Sequence, residues 1–212
     1  MMEKRAGAKG AHGIEGLRGY AQTSLFTCGP AVLLSAMALR DPSYAPDQAE
    51  EYQIWREANT IYMGKGHPGC GVYGLALSAL CRGFDPVIWT DRETGLFADT
   101  VPQSHAHVLS LMDERDCEAA YQAGMDVGIR AFNAQELRQA LTDGTAAHGC
   151  ALVLMMEDDG TDFHWTLLLA PSSPQAPFAF FDPWENDAFH EMTEAALEER
   201  IRPQGRQAVI FL

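Results

Sequence analysis

Basic residues are scarce in this chain. Lys and Arg number 15 against 29 Asp and Glu, which gives a formal net charge of −14. A surface of that sign repels phosphate backbones and anionic lipid, so neither nucleic acid nor a membrane is an expected partner. Paired cysteines are missing as well. Cys28, Cys70, Cys81, Cys117 and Cys150 are odd in number and include no CxxC pair, which argues against a disulfide framework and against a zinc ribbon. No apolar run approaches the ~18 residues of a membrane span. Residues 1–19 are rich in Gly, Ala and charge and lack the apolar segment of a signal peptide. A reducing, cytoplasmic location is therefore expected. Internal repeats and interdomain linkers are absent too. The organisation this suggests is a flexible lead over residues 1–18 and one domain over 19–212, long enough for a sizeable core.

What is present centres on Gln22-Thr-Ser-Leu-Phe-Thr-Cys28-Gly-Pro30. The apolar run from Ala31 to Leu39 predicts a helix over 29–40. Gly29 and Pro30 suit its first turn, where proline's missing N–H costs nothing. A thiol at a helix N-terminus feels the positive end of the dipole, which favours the thiolate, the nucleophile of acyl transfer. Gln22, six positions earlier, could offer its amide N–H to an oxyanion beside the backbone N–H of Cys28. Against this stands the ordinary fate of a free cysteine, which is to fill a core.

Asp41 to Pro46 forms a break. A second helix is predicted over Asp47–Asn59, with Asp47 as N-cap and Glu50 as its capping-box partner. Five glycines between Met63 and Gly74 mark a shaped loop. Helices are predicted over 75–82, 105–123, 133–142 and 193–201. Strands are predicted over 86–90, 127–131, 150–156, 164–170, 177–182 and 207–212, with turns over 157–160 and 171–176. Helices come first and most of the sheet second. That order points to an α+β fold with an N-terminal helical half on a mainly antiparallel sheet.

His164 opens one strand and Asp182 closes the next, eighteen residues on. Adjacent antiparallel strands would set them side by side. His164 could then take the Cys28 proton while Asp182 orients the ring. Each residue alone also has a structural explanation, as an edge histidine and an Asp-Pro turn. Together with Gln22 and Cys28 they supply one residue for each role of a papain-type mechanism, in the matching chain order.

The segments QTSLFTCGPA, HWTLLL and FFDPW resemble the bacteriocin-processing (double-glycine leader) peptidase family of the papain-like cysteine peptidases. Residues 55–84 are similar to a stand-alone bacterial group related to it, and the whole resemblance spans about residues 20–185. It implies a papain-like fold, with Cys28 as nucleophile, Gln22 as oxyanion donor, His164 as base and Asp182 as orienter. Secretion-linked members are fused to a membrane exporter and this chain is not. A dedicated cytoplasmic peptide or amide is thus the expected substrate.

The loop holding His67, Gly69, Cys70 and Gly71 is a second site candidate, as a substrate-binding wall beside Cys28. Two ligands, His67 and Cys70, do not make a metal site, and no metal or cofactor is expected. Trp165, next to His164, could shield the Cys–His pair from water. The function expected is a cysteine peptidase or amidase. The alternatives are transfer of the acyl group to an amine, and a non-catalytic binding module of the same fold. Nothing in the sequence speaks to oligomeric state.

Overall fold

A computed structural model describes residues 14–62, 64–143, 149–157, 162–173, 175–201 and 206–212. The apolar run after Thr27 forms α1, Cys28–Arg40, with every residue from Cys28 to Met37 buried. A helix apolar on all sides belongs inside a core. α2 spans Gln48–Ala58, and the Asp47 side chain accepts from Glu50 N–H at 2.8 Å. The capping box is only half formed. Glu50 turns instead to Arg82 Nε at 2.5 Å and Tyr44 Oη at 3.2 Å. α3 spans Val72–Cys81 and starts earlier than its glycines suggest. Gly74 is the contact point of two helices: a Cβ there would lie 2.7 Å from Ala58 Cα and 2.9 Å from its carbonyl oxygen.

Then follow β1 (Val87–Thr90), α4 (Gln103–Gln122), β2 (Asp126–Ile129), α5 (Ala134–Thr142), β3 (Cys150–Met156), β4 (Phe163–Leu169), β5 (Phe178–Phe181), β6 (Phe189–Met192), α6 (Glu194–Ile201) and β7 (Ala208–Phe211). Asn133 and Glu136 complete the capping box expected for α5. β6 is a strand that the sequence pattern did not signal. Its burial runs in–out–out–in, so it lacks the period-two alternation that marks a strand.

The strands make one seven-stranded sheet in the order β2-β1-β7-β3-β4-β5-β6. Among the described residues β1 and β2 form its one parallel pair. Helices cover both faces. Leu152, Leu154, Trp165, Leu167 and Phe181 join the core built on α1 to α4. Ala151, Val153, Met155, Leu168 and Phe180 join the one built on α5 and α6. Burial on both faces explains why β3 reads as an unbroken apolar run. The expected α+β arrangement, a helical N-terminal half on a mainly antiparallel sheet, is borne out, with two further helices behind the sheet.

The lead expected over 1–18 lies outside the described residues as far as residue 13. From there Ile14 and Leu17 already pack on the core, and Arg18 bridges to Ala188, so contact with the fold begins ahead of Tyr20. The turn expected over 157–160 also falls outside the described residues, apart from Glu157, whose N–H reaches Asp162 O at 2.9 Å.

Gly74→Ala should destabilise the fold by about 1–3 kcal/mol, because the methyl group meets the α2 backbone, which cannot swing aside. Thermal unfolding checks this. A melting temperature unchanged or raised, as helix propensity alone would give, would show slack between α2 and α3.

Candidate active site

Cys28 is the first residue of α1, and only 9% of its surface is exposed. His164 stands at the start of β4, and Asp182 directly follows β5. The two strands are antiparallel with Leu167 opposite Phe181, so one further step brings Asp182 level with Thr166, diagonal to His164. The contact forms: His164 Nε2 lies 2.8 Å from Asp182 Oδ1. Asp182 Oδ1 also accepts the Trp184 N–H at 2.9 Å. With Nε2 taken, Nδ1 is the ring nitrogen left for the Cys28 thiol, the second hydrogen-bond partner of the imidazole.

Charge follows from this geometry. Burial disfavours a positive ring. The hydrogen bonds to Asp182 and Cys28, and the negative charge those groups carry, outweigh it and push the His164 pKa up to about 10. Asp182 suffers the same burial, yet the hydrogen bond and charge of His164, with Trp184 N–H and Arg200, hold it below its ordinary value. Each partner keeps the other ionised.

Gln22 is tied by its backbone to the turn after Asp182. Its backbone N–H bonds Pro183 O at 2.9 Å, next to Asp182. Its Nε2 donates to Ser24 O at 2.7 Å, which leaves one amide hydrogen, and its buried Oε1 has no partner. Gln22 lines a hollow of about 350 Å³ with Thr23, Ser24, Leu25 and Trp184. Leu25 and Trp184 divide this hollow from a cleft of about 640 Å³ that His164 and Asp182 line with Phe26 and Phe180. Two open apolar side chains flank both, Leu25 68% exposed and Trp184 57%, while Glu157, Asp162, Glu185 and Arg200 add charge to the cleft wall.

The glycine loop stands on the other side of Cys28. A Cβ on Gly29 would lie 3.3 Å from Cys70 Cβ. Trp165 Nε1 donates to Cys70 O at 3.0 Å and Trp55 Nε1 to Pro68 O at 2.8 Å. His67 stacks on Phe97 with centroids 4.6 Å apart and folds over Gly69, where a Cβ would meet its ring at 2.6 Å. Cys70 and Trp165 are 1% and 2% exposed and Gly71 is buried as the N-cap of α3, so these three lie behind the accessible surface of the loop. Half-buried His67 and Gly69 keep accessible surface. Burial raises the Cys70 thiol pKa well above its usual range, and the charge of Cys28 adds to the effect.

A family model described as Peptidase_C39 like family matches residues 18–201. The chain belongs to that family. The resemblance to the bacteriocin-processing peptidases is thereby borne out. No curated protein matches the sequence. Among solved structures, the peptidase domain of Streptococcus ComA, described as a bi-functional ABC transporter involved in a quorum-sensing pathway, is similar at 14% identity. The match covers 92% of this chain and 96% of that one, with a TM-score of 0.49. Among the described residues of this family member, no helix is long and apolar enough to cross a membrane, and no cluster of three or more His, Cys, Asp or Glu could hold a metal ion.

Three features of the site escaped the sequence reading. Trp184 was present in FFDPW, but its exposure at the junction of two hollows is a tertiary fact. Phe97 comes from an irregular stretch after β1 and reaches His67 only through the fold. Glu51 is a carboxylate on the buried face of α2, at i with Ile54 and Ala58 at i+3 and i+7, a face position that its residue type conceals.

Linkage gives the sign of a pH effect. The folded pKa of His164 is raised from 6.5 to about 10, so its contribution to stability is complete below 6.5 and lost as pH rises through about 10. That of Asp182 is lowered from 3.8, so its contribution is present above 3.8 and lost on acidification. The stability of wild type relative to Asp182→Asn should be greatest between these ordinary values and decline on the alkaline side. Urea unfolding from pH 5 to 10 measures it, and a flat difference would refute the ion pair.

Proposed function

We propose that residues 19–212 form one catalytic domain, a cysteine peptidase or amidase in which Cys28, His164, Asp182 and Gln22 carry the chemistry. The observation behind this is the buried His164, 2.8 Å from Asp182 and hydrogen-bonded to Cys28 on its other side. An imidazolium beside a thiolate at a helix N-terminus is the charge state that nucleophilic attack on a carbonyl requires. Cys28 sulfur bonds to the carbonyl carbon and the π pair moves to oxygen. The backbone N–H of Cys28 and the free amide hydrogen of Gln22 receive that charge. His164 then gives its proton to the leaving amine, the C–N bond breaks, and a thioester remains. Water, deprotonated by His164, attacks the thioester carbon, the C–S bond breaks, and the acid leaves with the thiolate and the protonated His164 restored.

The leaving amine departs on the His164 side. The cleft of about 640 Å³ between Leu25, Phe26, Phe180 and Trp184 therefore takes the leaving segment, and the glycine loop with His67 and Gly69 faces the acyl segment. Exposed Leu25 and Trp184 beside the cleft also favour a second reading. A bound amine can replace water as acceptor on the same surface, which turns hydrolysis into acyl transfer.

Iodoacetamide labelling from pH 5 to 8, read by intact mass, tests the thiol. Cys28 should react fast down to the acid end, and His164→Ala should slow it by about 100-fold, the order of a general-base contribution. Exposed Cys81 is the internal reference. Equal rates at the two cysteines, or no effect of His164→Ala, would remove the catalytic reading. For the fate of the thioester, a turned-over peptide is incubated with and without glycine ethyl ester. A mass increase by the amine indicates transfer, and free acid alone indicates hydrolysis.

A further inference from the structure

Glu51 on α2 is fully buried, and among the described residues no Lys, Arg or His pairs with it. A buried carboxylate without a cation is costly unless hydrogen-bond donors surround it. Here the donors come from one short stretch of chain. Tyr20 Oη donates at 3.0 Å, the Thr23 N–H at 2.8 Å and the Thr23 hydroxyl at 2.7 Å. The stretch is the one that bears Gln22. On its other side the Gln22 N–H is fixed to Pro183 O and the Gly19 N–H to Asp187 O, at 2.9 and 2.8 Å. Tyr20 N–H is held by Ser35 Oγ of α1 at 2.7 Å.

We propose that Glu51 is a positioning residue for oxyanion stabilisation: its carboxylate clamps residues 20–23 from α2 and so fixes where the Gln22 amide meets the developing charge. This rests on the reading of Gln22 as the oxyanion donor. The chemistry calls for a carboxylate. All three partners are donors, and an ionised carboxylate is acceptor-only. A glutamine at 51 would aim an NH₂ at one of them, and a leucine would leave all three unpaired. The Tyr20 hydroxyl stays a donor throughout, because burial, the hydrogen bond to Glu51 and its charge all raise its pKa. Gln48 Nε2, bonded to Thr23 Oγ1 at 3.0 Å, extends the clamp by one turn of α2.

A reversible aldehyde separates this role from a merely structural one. Cys28 adds to acetyl-Leu-Leu-norleucinal as the thiolate of its ion pair with His164: the C–S bond forms, the carbonyl π pair moves to oxygen, and the proton stays on His164. The adduct thus carries an oxyanion, whereas iodoacetamide alkylation needs none and serves as the reference rate for each variant. Affinity for the aldehyde is measured on wild type, Glu51→Gln, Gln22→Ala and the double variant. Relative to alkylation, Gln22→Ala should weaken capture about 100-fold, the order expected for a lost oxyanion donor, and Glu51→Gln, which misplaces that donor, should reproduce a large part of the loss. In the Gln22→Ala background Glu51→Gln should then do little further, the non-additivity of two residues acting through one group.

A loss from Glu51→Gln that is equal in both backgrounds would overturn the positioning role, and so would a loss matched by slower alkylation. Gln22→Ala without effect would instead sink the oxyanion reading itself and the proposal with it. Thr23→Val keeps the side-chain shape and removes one clamp donor, so it should reproduce a part of the Glu51→Gln loss. If Glu51→Gln fails to fold, that variant carries the test, and no loss from it overturns the proposal.

Discussion

Removing a charge from water is tolerable only when an opposite charge or a set of dipoles awaits it. The pair between His164 and Asp182 is where this protein meets that condition. Both side chains are largely buried, with 9% and 13% exposed, and neither would ionise there alone. Facing each other at 2.8 Å they do. The register of β4 on β5 sets that distance, and the Asp182-Pro183 corner holds it. Cys28 is the second partner of the same imidazole, so the proposed nucleophile stands beside a ring fixed by a contact between two strands far from it in sequence.

A second constraint is where the segment before α1 can lie. It has no regular structure of its own and borrows partners from three elements. Ser35 of α1, Glu51 of α2 and the turn after Asp182 each take hydrogen bonds from it. Gly19 fits there because it faces the Phe181 ring, where a Cβ would lie 2.4 Å from the nearest ring carbon. The proposed nucleophile, base and amide donor are therefore fixed to a common frame, though they arise from a helix, a strand and a loop. Preorganisation of this kind is what electrostatic stabilisation of a transition state needs, because dipoles already aimed cost nothing to reorient. On the far side of Cys28 the glycine loop is treated alike. Two indole N–H groups hold its carbonyls, and Gly69 yields room for the His67 ring.

Much of this was legible in the chain. Periodicity and capping placed α1, α2 and α5 within a residue or two, because a long apolar run and an Asp or Asn three residues before a Glu leave few alternatives. β3 was equally plain from its unbroken apolar run. The strand order was not. Nor was β6, whose pattern lacks alternation, or the early start of α3, where Gly74 marks helix contact and not a turn. For the site, residue type and order brought out Cys28, His164 and Asp182. Burial then divided the glycine loop into residues that face solvent and residues that brace it, and a sequence carries little information on that.

The amino-acid sequence by itself determined the local choices: which stretches coil, which extend, and which residues have side chains able to act as nucleophile, base and acceptor. These depend on backbone propensity and functional groups, and they are properties of a residue and its near neighbours. The tertiary structure alone decided proximity and solvation. It set His164 against Asp182, put Glu51 under the Gln22 segment, and left Trp184 open at the junction of two hollows. Charge, hydrogen bonding and exposure at those points depend on groups many residues apart along the chain, and only the packed fold brings them within reach of one another.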